Sequence, residues 1–243
     1  MSSRRRATSA ADAFCGPWST TLSNTPSRDP IDFGDLRRTT PITRSFGFER
    51  GLPVDRHYIE SFLQQHAADI HGRTLEVGDR SYTTRFGADI ERSDVLDVPF
   101  ADNHDASLVA NLAEPDTFPD GEYDCFICTQ TLLFVRDLPA AVRSIHRLLR
   151  PQGVALVTVP GISQIVRENM DREGDFWRFT SRSCHDLFAP SFGSTAVTVQ
   201  SYGNVLAAAA FLYGLATSDL QADELAACDP DYQLVLGIRV RKA

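Results

Sequence analysis

The sequence predicts an α/β protein in which a mostly parallel sheet carries helices on both faces. Two observations support this. From Arg73 onward, apolar β-like runs alternate with segments of helical period, the pattern of a sheet buried on both sides. The run Arg73-Thr-Leu-Glu-Val-Gly78 also reads as a strand delivering a carboxylate and a glycine to its carboxyl end, where open α/β sheets bind ligands.

Three regions follow from composition. Residues 1–30 are rich in Ser, Thr, Ala and Pro around Arg4-Arg5-Arg6, and a disordered or loosely attached tail is expected. Residues 31–72 form a segment packing on or capping the core: Phe33, Leu36, Ile42, Phe46 and Phe48 stand among arginines, and a helix begins near Pro53. Its expected buried face is Tyr58, Ile59, Phe62, Leu63 and Ile70, with Gly72 as its stop. Residues 73–243 form the main domain.

Within that domain, strands are expected at Thr74 to Val77, near Ala88 to Glu91, at Ser107 to Ala110, Tyr123 to Cys128 and Val154 to Val159. The clearest helix has Asp137 as N-cap and buries Leu138, Val142, Ile145, Leu148 and Leu149, while Arg147 and Arg150 complement its C-terminal dipole. Pro151-Gln-Gly153 ends it. A loop from Pro160 to Phe179 leads to a helix starting at Thr180 or Ser181, a β-like run Thr195 to Gln200, an apolar helix Val205 to Ala216 and a last strand within Tyr232 to Val240.

A chain of 243 residues with 42% hydrophobic content supports one good core. Its net charge of -8 disfavours tracking along nucleic-acid phosphates, which needs clustered cations. No apolar segment has the length of a signal peptide or membrane span, so a cytoplasmic protein is expected. Cys125-Phe-Ile-Cys128 lies in a buried strand, where positions three apart face opposite ways; core thiols are the reading, not a zinc or redox pair. The six histidines form no ligand set, and no metal is expected.

From Arg73 to the C-terminus, the motif at Glu76-Val-Gly78 and the order of elements resemble the class I S-adenosylmethionine (SAM) dependent methyltransferases, in particular the type 11 group. The resemblance implies a Rossmann-like sheet with an antiparallel last strand and SAM as cofactor. It places Glu76, with Val77, Gly78 and Asp79, at the cationic amino-acid end of SAM. It asks for a second acid at the ribose, for which Asp94 is chosen over its rivals Glu91 and Asp97. Asn111 and Leu112 fall beside the adenine, and Thr129 and Gln130 face both cofactor and acceptor. The chain departs from the pattern where Arg80 and Tyr82 replace the usual glycines, which would narrow the loop.

Downstream, Asp-Phe-Trp-Arg-Phe-Thr180 resembles a segment of methyltransferases from bacterial glycan and secondary-metabolite loci. One reading makes Asp175 a general base and Trp177 and Arg178 substrate contacts; the other makes Trp177 and Phe179 a packing anchor with Arg178 in a salt bridge. Tyr58, beside His57, is either part of a lid at the acceptor side or an ordinary helix face. The expected function is O-methylation of a small molecule or sugar in glycan or secondary-metabolite biosynthesis. Two rivals stand beside it. A nicotinamide oxidoreductase would want Gly-x-Gly-x-x-Gly after the first strand, and a non-catalytic scaffold would explain the lost glycines. The acidic charge, and the lack of an Asn/Asp-Pro-Pro-aromatic motif after the fourth strand, argue against a DNA substrate.

Overall fold

The computed structural model describes residues 32–98, 103–170 and 174–243, without the side chains of residues 168 and 169. The expected loose tail lies outside the described residues. Seven strands, β1 (Gly72–Val77), β2 (Ile90–Asp97), β3 (Leu108–Val109), β4 (Tyr123–Thr129), β5 (Leu149–Pro160), β6 (Val197–Tyr202) and β7 (Val235–Arg241), form one sheet in the order β3-β2-β1-β4-β5-β7-β6. β1 to β5 pair in parallel, and β7 runs antiparallel to both its neighbours, as the resemblance implies. The strand order reverses between β1 and β4, so a crevice for ligand opens at their carboxyl ends.

Period-two alternation divides the core between the two faces. Phe126 and Cys128 of β4 join Ala155, Val157, Leu236 and Ile238 on one face, beneath α3 (Leu138–Leu148) and α5 (Ser181–Phe192). Cys125 and Ile127 look the other way, with Val154 and Leu156, toward α1 (Val54–Gln65) and α6 (Val205–Leu212). The two cysteines therefore bury on opposite faces as free thiols, and burial pushes the Cys128 thiol up to about 12. Phe62 of α1 is wholly buried and seats over Gly237, where any Cβ would overlap its ring.

Four boundaries differ from expectation. α1 ends at Gln65, a 3-10 turn (Ala67–Asp69) follows, and Ile70 and Gly72 lie beyond the helix, with Gly72 already in β1. β2 runs from Ile90 to Asp97 instead of ending near Glu91, because the charged residues Arg92 and Asp94 pair with each other within the strand. Leu149 belongs to β5, opposite Tyr123; Gln152, at φ 69, and Gly153 form an irregularity inside that strand. α6 stops at Leu212, where the chain turns through Gly214 at φ 72.

That turn anchors the segment before α1. The Ile42 N–H and the Tyr213 hydroxyl form reciprocal bonds, to the Tyr213 carbonyl at 2.8 Å and the Leu36 carbonyl at 2.7 Å. Thr43 Oγ1 donates to the Gly214 carbonyl at 2.8 Å. Arg50 pairs with Asp219, its Nε at 2.8 Å from Oδ2. Held at both ends, the segment carries Phe46 and Phe48 across the carboxyl edge of the sheet, where both line cavities.

Candidate active site

Glu76 is buried at the end of β1. Its carboxylate accepts the Tyr82 N–H at 3.0 Å and the Thr83 N–H at 2.7 Å, which caps α2 (Ser81–Phe86) and matches anion to helix N-terminus. Burial raises its carboxyl above the ordinary range against the lowering effect of those bonds, and Asp79 adds to the rise. Gly78, at φ 87, makes the turn that only glycine adopts without strain, and the space beside it is open. Arg80 and Tyr82 fit because neither points into that space: Arg80 donates to the Asp105 carbonyl at 3.4 Å, and Tyr82 stacks on Phe86 at 6.1 Å. The glycine pattern is lost while the turn is kept.

Four cavities with shared lining residues lie along the carboxyl edge. The first, about 440 Å³, is bounded by Val77, Asp97, Asn111, Leu112 and Phe134 among others. The second, about 480 Å³, shares Val77 and is bounded by Glu76, Asp79, Tyr82, Thr129 and Gln130. An inner cavity of about 210 Å³ shares Arg56, Phe48 and Gln130 with the second; its other walls include Phe46, Leu133, Phe211 and Leu234, with Asp55 and Ser163 as polar members. An outer cavity of about 690 Å³ shares Phe46, Phe48 and Val166 with the inner one.

Of the residues expected at the cofactor, Glu76, Val77, Asp79, Asn111, Leu112, Thr129 and Gln130 line the first two cavities, and Gly78 turns between them. Asp94 does not reach either. It is buried mid-strand opposite Leu75, where it takes Arg73 Nε at 3.1 Å, Arg92 Nε at 2.8 Å and the Tyr123 hydroxyl at 3.3 Å. Burial works to raise its carboxyl, and the two guanidinium groups outweigh that and lower it. Asp97, the rival, stands at the end of β2 on the first cavity. Asn103 Nδ2 donates to its Oδ2 at 2.6 Å and to the Gly78 carbonyl at 2.8 Å, tying the ends of β1 and β2 together.

Gln130 joins the second cavity to the inner one. Its backbone is left-handed at φ 49, a conformation that a non-glycine residue keeps only where its surroundings impose it, and its N–H is fixed on the Thr158 carbonyl at 2.8 Å. Its side-chain Nε2 is buried without a hydrogen-bond partner, although the residue as a whole lines both cavities.

The downstream loop resolves differently. Asp175 grips Arg178 at 2.6 and 3.0 Å and accepts the Val166 N–H at 2.8 Å, so both oxygens are engaged, and the residue lines none of the cavities described above. Arg178 also donates to the Ser163 and Gln164 carbonyls, and Trp177 Nε1 donates to the Val135 carbonyl at 2.9 Å. The pair and the indole hold the loop shut; neither Trp177 nor Arg178 lines a cavity described above. Tyr58 is core: it is 3% exposed and its hydroxyl donates to the Leu225 carbonyl at 3.0 Å.

Asp55 is the acid that sequence reasoning passed over. It stands half-buried in the first turn of α1 and faces the inner cavity. Its Oδ1 accepts the Arg56 N–H at 2.8 Å, and burial raises its carboxyl, with the charge of Arg56 opposing. An acid in a helix's first turn ordinarily complements the dipole, so the sequence carried no signal that this one bounds a cavity.

Among the described residues, no group of His, Cys, Asp and Glu side chains is placed to hold a metal ion, and no helix is long and apolar enough to cross a membrane. Solved structures are similar to this chain at low identity. A SAM-dependent methyltransferase from Archaeoglobus fulgidus is 10% identical, with 77% of this chain and 94% of that one covered at a TM-score of 0.49. One from Mesorhizobium loti is 15% identical, with 78% and 98% covered at 0.47. The N-methyltransferase NodS from Bradyrhizobium japonicum WM9, in complex with S-adenosyl-L-homocysteine (SAH), is 14% identical, with 79% and 89% covered at 0.48. No curated protein matches the sequence. A family model described as a methyltransferase domain matches residues 58–193, more than half of the chain, and the protein therefore belongs to the class I SAM-dependent methyltransferases.

Proposed function

We propose that this enzyme transfers the methyl group of SAM to a hydroxyl oxygen of a small molecule held in the inner cavity. The observation that carries this reading is the junction at Gln130, where the cavity bounded by Glu76 meets a separate, largely apolar one. The residues present suit the cofactor. Asp97 offers a carboxylate for the ribose hydroxyls, Val77 and Leu112 offer apolar walls for the adenine, and Asn111 adds a polar edge. The open space beside Gly78 suits the amino-acid end. Glu76 holds the backbone that shapes that end, since its oxygens are occupied by Tyr82 and Thr83.

Bound SAM supplies a methyl already activated on a sulfonium, so the protein's task is alignment and exclusion of water. Phe46, Phe134, Phe211 and Leu234 keep the inner cavity apolar, which favours an acceptor with an apolar or aromatic body over a bare sugar. Asp55 holds the acceptor hydroxyl and takes its proton as the oxygen attacks, the role earlier given to Asp175. Its raised carboxyl matches a base working closer to neutrality.

Calorimetric titration with SAM and SAH, with NADH as control, tests this function. Saturable binding of both sulfur nucleotides and none of NADH is expected; a folded protein that binds neither sinks the proposal.

A further inference from the structure

The outer cavity adds a charge requirement to the acceptor. It shares Phe46, Phe48 and Val166 with the inner cavity, and Arg44 and Arg167 stand on its wall with Ser45, Gln164 and Ile165; among the described residues none of its lining is acidic. Both arginines are exposed. Many arginines of the described structure pair with acids, as Arg50 does with Asp219, Arg73 with Asp94 and Glu122, and Arg239 with Asp69; others do not, Arg80 donating to the Asp105 carbonyl and Arg136 lying over the Phe176 ring. Arg44 and Arg167 have no ion-pair partner among the described residues, in a chain where acids outnumber Lys and Arg by 32 to 24.

The wall that carries them is braced. Gln164 Nε2 donates to the Arg44 carbonyl at 2.8 Å, joining the two sides of the cavity, and Arg178 holds the Ser163 and Gln164 carbonyls from behind. Two unpaired guanidinium groups on a fixed mouth make a site for an oxyanion, which such groups bind through paired N–H donors. The apolar walls beyond them accept a ring or hydrocarbon body. Because the net charge of -8 repels anions at a distance, a local pair of cations is what would make such a ligand acceptable.

We propose that the acceptor is an apolar or aromatic molecule bearing an anionic group, a phosphate or a carboxylate, which Arg44 and Arg167 hold at the mouth while the body reaches the inner cavity. This rests on the methyltransferase reading of the same site and specifies the acceptor's charge.

The test separates the two. SAH binding to the full chain is measured first; its absence would strike the underlying reading, not the charge argument. The SAH-saturated protein is then titrated with phenyl phosphate, phenylacetate, benzyl alcohol and benzylamine. At least one of the two anions is expected to bind about tenfold or more tighter than benzyl alcohol, with benzylamine weakest, and the stronger anion identifies the group. The paired substitution Arg44→Ala and Arg167→Ala should erase that preference while leaving SAH and benzyl alcohol affinities unchanged; both side chains are exposed, so the fold should survive. Equal affinity across the probes, no binding of either anion, competition of the anions with SAH, or a preference that persists in the double variant would each overturn the proposal.

Discussion

The Glu76 carboxylate receives the Thr83 N–H at 2.7 Å and through it fixes the first turn of α2. The acid in the cofactor motif is thus a backbone-shaping group, because its two oxygens already hold the Tyr82 and Thr83 amides. On the proposed function, cofactor affinity at this position should depend on the path of residues 78–83, a path that Arg80 and Tyr82 leave open beside Gly78.

Glu76→Gln should therefore lower both stability and SAM affinity, since an amide offers only one acceptor oxygen to the two N–H groups. A buried donor left unsatisfied costs about 1–3 kcal/mol, readable by denaturant unfolding. The pH dependence has a definite sign. Burial holds the folded carboxyl above its ordinary value of 4.5, so the folded state binds the proton more tightly than the unfolded one, and this group's contribution declines as pH rises through the window above 4.5. The variant should lack that slope. An unchanged stability in Glu76→Gln would show that the capping bonds contribute nothing.

Asp97 and Asp94 should separate binding from stability. Asp97→Ala is expected to weaken SAH binding about tenfold or more, near the 1.4 kcal/mol that one hydrogen-bonded contact represents, with a modest change in unfolding. Asp94→Asn should do the reverse, destabilising by about 1–3 kcal/mol through lost charge-assisted bonds to Arg73 and Arg92, with SAH affinity retained. The reverse assignment of effects would return the ribose role to Asp94.

Asp55→Asn should reduce kcat by about 10²–10⁴-fold, the usual contribution of a positioned base, and leave SAH affinity as it is. Burial raises the Asp55 carboxyl, and the base acts ionised, so wild-type kcat should climb as pH passes a value above the normal aspartate range. That limb should vanish in the variant. A variant with full kcat and the same pH profile would leave Asp55 as a wall residue only.

The alternation of strands and helices, the capped helix after Asp137 and the turn after Glu76 were legible because each has a local cause: an alternating run, an N-cap side chain, an acid before a glycine. The surroundings of Asp94 were not legible: the second strand was expected to end near Glu91, whereas it continues to Asp97 and buries Asp94 mid-strand, away from the cavities. The pairing of Asp94 with Arg73 joins positions 21 residues apart, and no local pattern announces it. Asp175 misled similarly, since only the fold shows that Arg178 and the Val166 N–H occupy both of its oxygens. Asp55 was invisible because its cavity exists only once Phe46 and Phe48 are carried over α1.

The Arg50–Asp219 pair should govern how firmly that segment stays in place. The hydrogen bond from Arg50 is the main cause that lowers the Asp219 carboxyl to about 2, with burial opposing and the Ala216 N–H assisting. A depressed acid stabilises the folded state fully above its ordinary value of 3.8 and loses that contribution as pH falls toward about 2. Acid should therefore loosen the segment from the α6 turn. Hydrogen exchange at the Ile42 amide, which is bonded to the Tyr213 carbonyl, reads this opening locally, with the β5 amides as a control for global unfolding. Asp219→Asn should raise Ile42 exchange at neutral pH without affecting β5, and should weaken binding in the inner cavity while SAH affinity holds, because Phe46 and Phe48 belong to the segment. Ile42 protection equal to wild type in the variant would mean that Tyr213 and Gly214 alone hold the segment down, and that the ion pair is a surface contact of the kind that contributes nothing measurable.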